Sequence, residues 1–142
     1  MKIQETSDEI AKLTFDLGRC LRQKMLRSTE GCMHIPQMHA LLFLQSQPGI
    51  TMKELAEMLR VTSPSATTFV DRLVKLGHIR RARDATNRRL VRLHLTPAGA
   101  VALKKTMLQR RKILLEIVSV LSLSDQITLK SIMQKLLIRC SK

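Results

Sequence analysis

Between Thr51 and Gly77 the sequence reads as two short helices separated by a tight turn. Thr51-Met52-Lys53-Glu54 has the form of a capping box: the threonine hydroxyl accepts from a backbone N–H three residues on, and the glutamate accepts from the cap's own N–H. A helix over Met52–Leu59 is predicted from it. Only Arg60, Val61 and Thr62 intervene before Ser63-Pro64, which reads as an N-cap followed by proline at the first helical position, where a missing N–H costs nothing. This second helix should run to about Leu76 and stop at Gly77. Leu55, Ala56 and Leu59 on the first helix and Ala66, Phe69, Val70 and Leu73 on the second would share a core. That arrangement fits a helix-turn-helix, although an ordinary helical hairpin satisfies the same spacing.

The residues after Gly77 separate these two possibilities. Ile79–Arg83 and Leu90–Leu95 read as short strands, the second alternating Val91, Leu93 and Leu95 with Arg92 and His94. Their connector, Asp84-Ala85-Thr86-Asn87-Arg88-Arg89, is turn-forming and basic. A hairpin placed directly after the second helix and tipped with arginines is a wing. Thr96-Pro97 then opens another helix, in which Val101, Leu108 and Leu115 recur seven apart, as do Met107, Leu114 and Leu121. Ser122–Ser124 should interrupt it, and a last helix is expected over Asp125–Ile138. Upstream, Ile10, Leu13, Leu17 and Leu21 mark an amphipathic helix from about Thr6 to Arg27, and Ile35–Gln45 resumes helical spacing until Pro48 and Gly49. The expected fold is mainly α with a small β-hairpin wing. Residues 1–34 form an N-terminal helix, 35–99 the winged helix-turn-helix (helix-turn-helix 52–76, wing 79–95) and 100–142 the C-terminal helices, all within one structural unit. The terminal helices carry more apolar surface than a helix pair can hide, which points to dimerisation between two copies; covering the head within one chain is the alternative.

Charge sharpens the picture. The 142 residues hold 25 Lys and Arg against 11 Asp and Glu, a formal net charge of +14. Residues 1–50 are nearly balanced, with 6 basic and 5 acidic side chains, whereas 51–99 carry 10 and 4 and residues 100–142 carry 9 and 2. Arg72, Lys75, Arg80, Arg81, Arg83, Arg88, Arg89 and Arg92 face a single intervening acid, Asp84. The arginine fork binds phosphate and guanine edges with two hydrogen bonds at once, which lysine cannot do. A polyanion is the natural partner. With no Trp or Tyr and 3 Phe, the chain is poor in rings on which unpaired bases stack, which counts against single-strand recognition.

These residues resemble the MarR family of winged helix-turn-helix transcriptional regulators. Glu54-Leu55-Ala56-Glu57, Val61-Thr62-Ser63-Pro64-Ser65 and Val70-Asp71-Arg72-Leu73-Val74-Lys75-Leu76-Gly77 are similar to its helix-turn-helix. The Asp84–Arg89 connector, followed by Thr96-Pro97-Ala98-Gly99, is similar to its wing signature. The resemblance implies a homodimer with both termini in the dimerisation region, a palindromic double-stranded DNA operator, usually repression, and release by a small-molecule or redox effector. One departure stands out: where the family commonly has aspartate, this chain has Asn87, which supplies no charge to steady Arg89.

On the second helix the stripe opposite the core is Ser65, Thr68, Arg72 and Lys75, with Thr67 beside it. Ser63, Pro64 and Ser65 are expected to position the DNA backbone at the helix start, and Thr67, Thr68 and Arg72 to read base edges. A structural pairing of Arg72 with Asp71 or another acid is the alternative for that arginine. In the wing, Arg89 is the candidate for the minor groove, Arg88 for flanking phosphates and Arg83 for a further DNA contact, with Asp84 and Asn87 orienting the loop.

Other chemistries are weakly represented. Cys32, His34 and His39 could contribute to a zinc site, but their spacing matches no strong zinc pattern, and no cofactor is expected. Cys20 and Cys140 read either as buried apolar residues or as a redox pair if the termini meet. No Gly-rich phosphate loop, nucleophile motif or paired acids beside a histidine suggests an enzyme. The basic run Lys104, Lys105, Arg110, Arg111 and Lys112 lacks aromatic membrane anchors. The opening residues lack a leader-like apolar stretch, so a cytoplasmic protein with reduced thiols is expected. The rival to a regulator is a basic protein that coats nucleic acid regardless of sequence.

Overall fold

The computed structural model describes residues 2–27 and 33–141. Among the described residues, six helices and three strands occur in the order α1 (Lys2–Arg27), α2 (Ile35–Ser46), β1 (Ile50–Thr51), α3 (Met52–Leu59), α4 (Ser63–Lys75), β2 (Ile79–Arg83), β3 (Val91–Leu95), α5 (Pro97–Val118) and α6 (Leu123–Cys140). The chain divides into two compact units, residues 1–28 with 109–142, and residues 29–108. Helix α5 begins in the second and ends in the first.

The unit formed by residues 29–108 has one apolar core. Leu41, Leu44, Leu55, Val70, Leu73, Ile79, Leu93 and Leu103 are all buried within it. Each contributes about 2 kcal/mol relative to an exposed side chain. They come from α2, α3, α4, both wing strands and the start of α5, so the helix-turn-helix and the wing are held by one set of contacts.

The sheet is antiparallel, in the order β1-β3-β2. In the hairpin Ile79 lies opposite Leu95, Arg81 opposite Leu93 and Arg83 opposite Val91, while Ile50 of β1 also faces Leu93. Because directly opposed residues share a face, Ile79, Leu93, Leu95 and Ile50 form the core side. Arg80, His94, Ala82, Arg92 and Thr51 lie on the other. Strand β1 is not among the elements expected from the sequence, since two residues carry no period to detect.

The Thr51 capping box forms: Thr51 Oγ1 accepts from the Glu54 N–H at 3.3 Å, and Glu54 Oε2 accepts from the Thr51 N–H at 2.7 Å. The second cap differs from expectation by one residue. Thr62, not Ser63, is the N-cap of α4, its Oγ1 accepting from the Ser65 N–H at 3.4 Å, and Pro64 occupies the second helical position. Neighbouring hydroxyls can exchange this role with little cost, because Ser and Thr cap by the same geometry. Helix α4 ends at Lys75 with Leu76 as its C-cap, and Gly77 just beyond it has a φ of +76°, one that L residues rarely adopt.

The turn after α4 is clamped onto α5. Thr96 Oγ1 donates to the Gly77 carbonyl at 2.5 Å and accepts from the Gly99 N–H at 2.9 Å, and the Thr96 N–H donates to His78 O at 3.0 Å. Gly99 sits so close to this turn that a Cβ there would lie 2.1 Å from the His78 carbonyl oxygen. Ser122, expected to interrupt the helices, caps α6 by accepting from the Asp125 N–H at 3.1 Å, so α6 starts two residues earlier than expected.

The other unit is thinly packed. Neither α1 nor α6 has a buried residue among those described, and Ile10, Leu13, Leu17, Ile132, Leu136 and Leu137 are all exposed. Leu137 keeps 64% of its surface in solvent. No helix among the described residues is long and apolar enough to cross a membrane.

Candidate nucleic-acid interface

Helix α4 is two-sided. Ala66, Val70 and Leu73 are fully buried, whereas Ser63, Pro64, Ser65, Thr67, Thr68, Asp71, Arg72 and Lys75 lie towards solvent. Pro64, Ser65, Thr68, Phe69 and Arg72 line one open depression along the exposed side. The core spacing that buries one face at i, i+3 and i+4 necessarily turns this stripe outward. Arg72 has no acid within ion-pairing distance among the described residues, so its alternative as a structural partner of Asp71 does not form. Asp71 pairs instead with Arg81 of the wing, tying α4 to β2.

The threonines are already engaged. Thr67 Oγ1 donates to Ser63 O at 3.0 Å, and Thr68 Oγ1 donates to Pro64 O at 3.2 Å. Their hydroxyl hydrogens are spent inside the helix, leaving oxygens that can accept. Ser65 Oγ accepts from Thr62 Oγ1 at 3.0 Å.

The wing loop is organised by Asp84. Its Oδ1 accepts from the Thr86 N–H at 2.9 Å, Thr86 Oγ1 at 2.7 Å and the Asn87 N–H at 3.0 Å, while Oδ2 is ion-paired with Arg92 Nε. The Arg92 guanidinium beside it, then the Thr86 and Asn87 donors, hold the Asp84 carboxyl well below the ordinary carboxylate range. Asn87 acts within the loop: its Oδ1 accepts from the Arg89 backbone N–H at 3.1 Å, and its carbonyl from the Leu90 N–H at 2.9 Å. The loop closes with Asp84 N–H donating to Leu90 O at 3.0 Å. Asn87 therefore fixes the backbone at Arg89 and leaves the guanidinium alone. Arg83, Arg88 and Arg89 are exposed and have no ion-pair partner among the described residues.

The role of Arg92 escapes the sequence. Arg92, which composition groups with the contact arginines, is a clasp: besides Asp84 it donates from Nη1 to the Gly49 carbonyl at 2.9 Å. Asp84 therefore holds Arg92 and not a loop-tip arginine. The hairpin register places these groups together, and nothing in the local sequence announces it. Glu54 is likewise a positioning acid, its carboxyl held low first by the Thr51 backbone N–H and then by the Thr51 hydroxyl.

The remaining candidates are dispersed. His34 and His39 are described and exposed or nearly so, while Cys32 lies outside the described residues; among those described, no three His, Cys, Asp or Glu gather into a metal-sized cluster. Cys20 and Cys140 are free thiols, both exposed within the single chain.

Residues 33–91 match the family described as "MarR family". The chain is 39% identical over 64 residues to the HTH-type transcriptional regulator TtmR of Methylorubrum extorquens, a match covering 45% of this chain and 33% of that protein, so the chain spans about a third of it. It is 26% identical over 117 residues to the HTH-type transcriptional repressor MdtR of Bacillus subtilis, covering 82% of this chain and 76% of that one. Among solved structures, the YusO protein of Bacillus subtilis superposes with a TM-score of 0.79 at 27% identity, over 94% of each chain.

Proposed function

We propose that this chain, whose residues 33–91 match the MarR family, is a winged helix-turn-helix transcriptional regulator that recognises a palindromic double-stranded DNA operator as a homodimer and represses transcription there. The observation that carries this reading is the wing loop. Arg88 and Arg89 stand exposed without an acid partner among the described residues, on a backbone fixed by Asp84 and Asn87. That loop belongs to the same cored unit as the hydroxyl-and-arginine face of α4. A helix for the major groove and an arginine-tipped loop for the minor groove are thus presented by one rigid frame.

The uncovered apolar faces of α1 and α6 support pairing of two copies, since monomers rarely expose so much contiguous apolar surface. Repression is the role named for MdtR, and it is the sense proposed here. The test is a selection of binding sites from random duplexes, with the best site compared against scrambled sequence at physiological salt. A two-fold regulator selects half-sites about 10 base pairs apart, centre to centre, and sediments as a dimer at micromolar concentration. A monomer that grips every duplex equally is a coating protein, and the proposal is then withdrawn.

A further inference from the structure

Arg60 ends α3 in the left-handed conformation, φ 54° and ψ 47°, and is the one non-glycine with positive φ among the described residues. Its N–H donates to Glu57 O at 3.1 Å, and the Val61 N–H donates to Ala56 O at 3.1 Å, so the turn between α3 and α4 is closed by this backbone geometry. Such a position favours glycine, because a Cβ crowds the neighbouring carbonyl there. The chain accepts that crowding and keeps the longest cationic side chain at the site.

The side chain brings no compensating ion pair. Arg60 is exposed, and the ion pairs among the described residues are Arg19–Asp16, Arg81–Asp71 and Arg92–Asp84. Glu57, one turn back on α3, is not within pairing distance. Two residues beyond Arg60 lies the Thr62 cap, with the exposed Ser63, Pro64 and Ser65 after it. From Ser63 to Asp71 helix α4 has no cation of its own. An unbalanced guanidinium is thus held by a fixed turn beside the amide-rich start of the helix proposed to enter the groove.

We propose that Arg60 is a phosphodiester contact at the turn of the helix-turn-helix, setting how deeply the N-terminal end of α4 seats on duplex DNA. This rests on the proposed DNA-binding reading and adds a residue to it. The contact carries no sequence preference and adds to affinity for any duplex.

Arg60→Gly separates contact from conformation, since glycine adopts this backbone without crowding. With mixed-sequence duplex DNA as the probe, the variant should retain or raise the thermal midpoint while binding about five- to tenfold more weakly at fixed salt. The slope of log affinity against log salt should become shallower by about 0.9, the value for one lost phosphate neutralisation. Arg60→Lys should recover most of the affinity. Wild-type protein that binds the duplex alongside an Arg60→Gly variant of equal affinity and salt slope overturns the inference. If folded wild-type protein binds no duplex at all, the failure lies with the proposed function, and the Arg60 contact falls with it.

Discussion

Arg92 joins two loops that lie far apart in sequence: its Nε is paired with the Asp84 carboxylate at the root of the wing loop, and its Nη1 reaches the Gly49 carbonyl ahead of β1. The wing is therefore anchored to the segment leading into α3 as well as to its own strands. Arg92→Ala should lower stability by roughly 1 kcal/mol, a modest figure because the guanidinium is 39% exposed. The amides of Thr86 and Asn87 should exchange faster in the same variant. Chemical denaturation and amide exchange together measure this. Unchanged exchange in the loop would mean that the strands alone hold it.

The same pair sets an acid limb. The folded-state carboxyl of Asp84 is held below its ordinary range, so its contribution is fully present above that range and is lost as pH falls towards the depressed value. The stability gap between wild type and Asp84→Asn should be constant above about pH 5 and should narrow progressively below it. Denaturation midpoints across an acid series give the comparison; a gap that stays the same down to the acid end contradicts the assignment.

Among the described glycines, Gly99 lies closest to neighbouring backbone. A methyl there meets the His78 carbonyl oxygen, which is itself fixed by the Thr96 N–H. Gly99→Ala should destabilise by about 1–3 kcal/mol or more, since the neighbour that must move is backbone. A thermal midpoint within error of wild type would show that the turn and α5 can separate freely.

At the wing tip, Arg89→Ala should weaken operator binding by about 1–3 kcal/mol without lowering stability, because its guanidinium has no ion-pair partner to lose among the described residues. A titration at fixed salt decides it, with the thermal midpoint as control.

Much of this is legible in the residues themselves. The Thr51–Glu54 box, the Gly77 stop and the alternation from Val91 to Leu95 are local signals, each dictated by nearest neighbours, and they place the helix-turn-helix and the hairpin. The features that escape depend on partners distant in sequence. Asp71 with Arg81 and Arg92 with Gly49 become neighbours only once α4, the strands and the turn before β1 are assembled. The shift of the α4 cap from Ser63 to Thr62 has a different cause: two adjacent hydroxyls compete for one amide, and composition cannot choose between them. The backbone at Arg60 is hidden for a third reason, because an arginine gives no sign of the left-handed conformation that glycine usually signals.

The inward-bonded hydroxyls of Thr67 and Thr68 change what α4 offers to a base pair. With no hydrogen left to donate outward, these two side chains would offer a groove only a methyl group and a lone pair. Such a surface is suited to the C5 methyl of thymine rather than to purine acceptors. An operator rebuilt with deoxyuridine at each thymine should therefore bind more weakly than the natural duplex, although every Watson–Crick pair and every phosphate is retained.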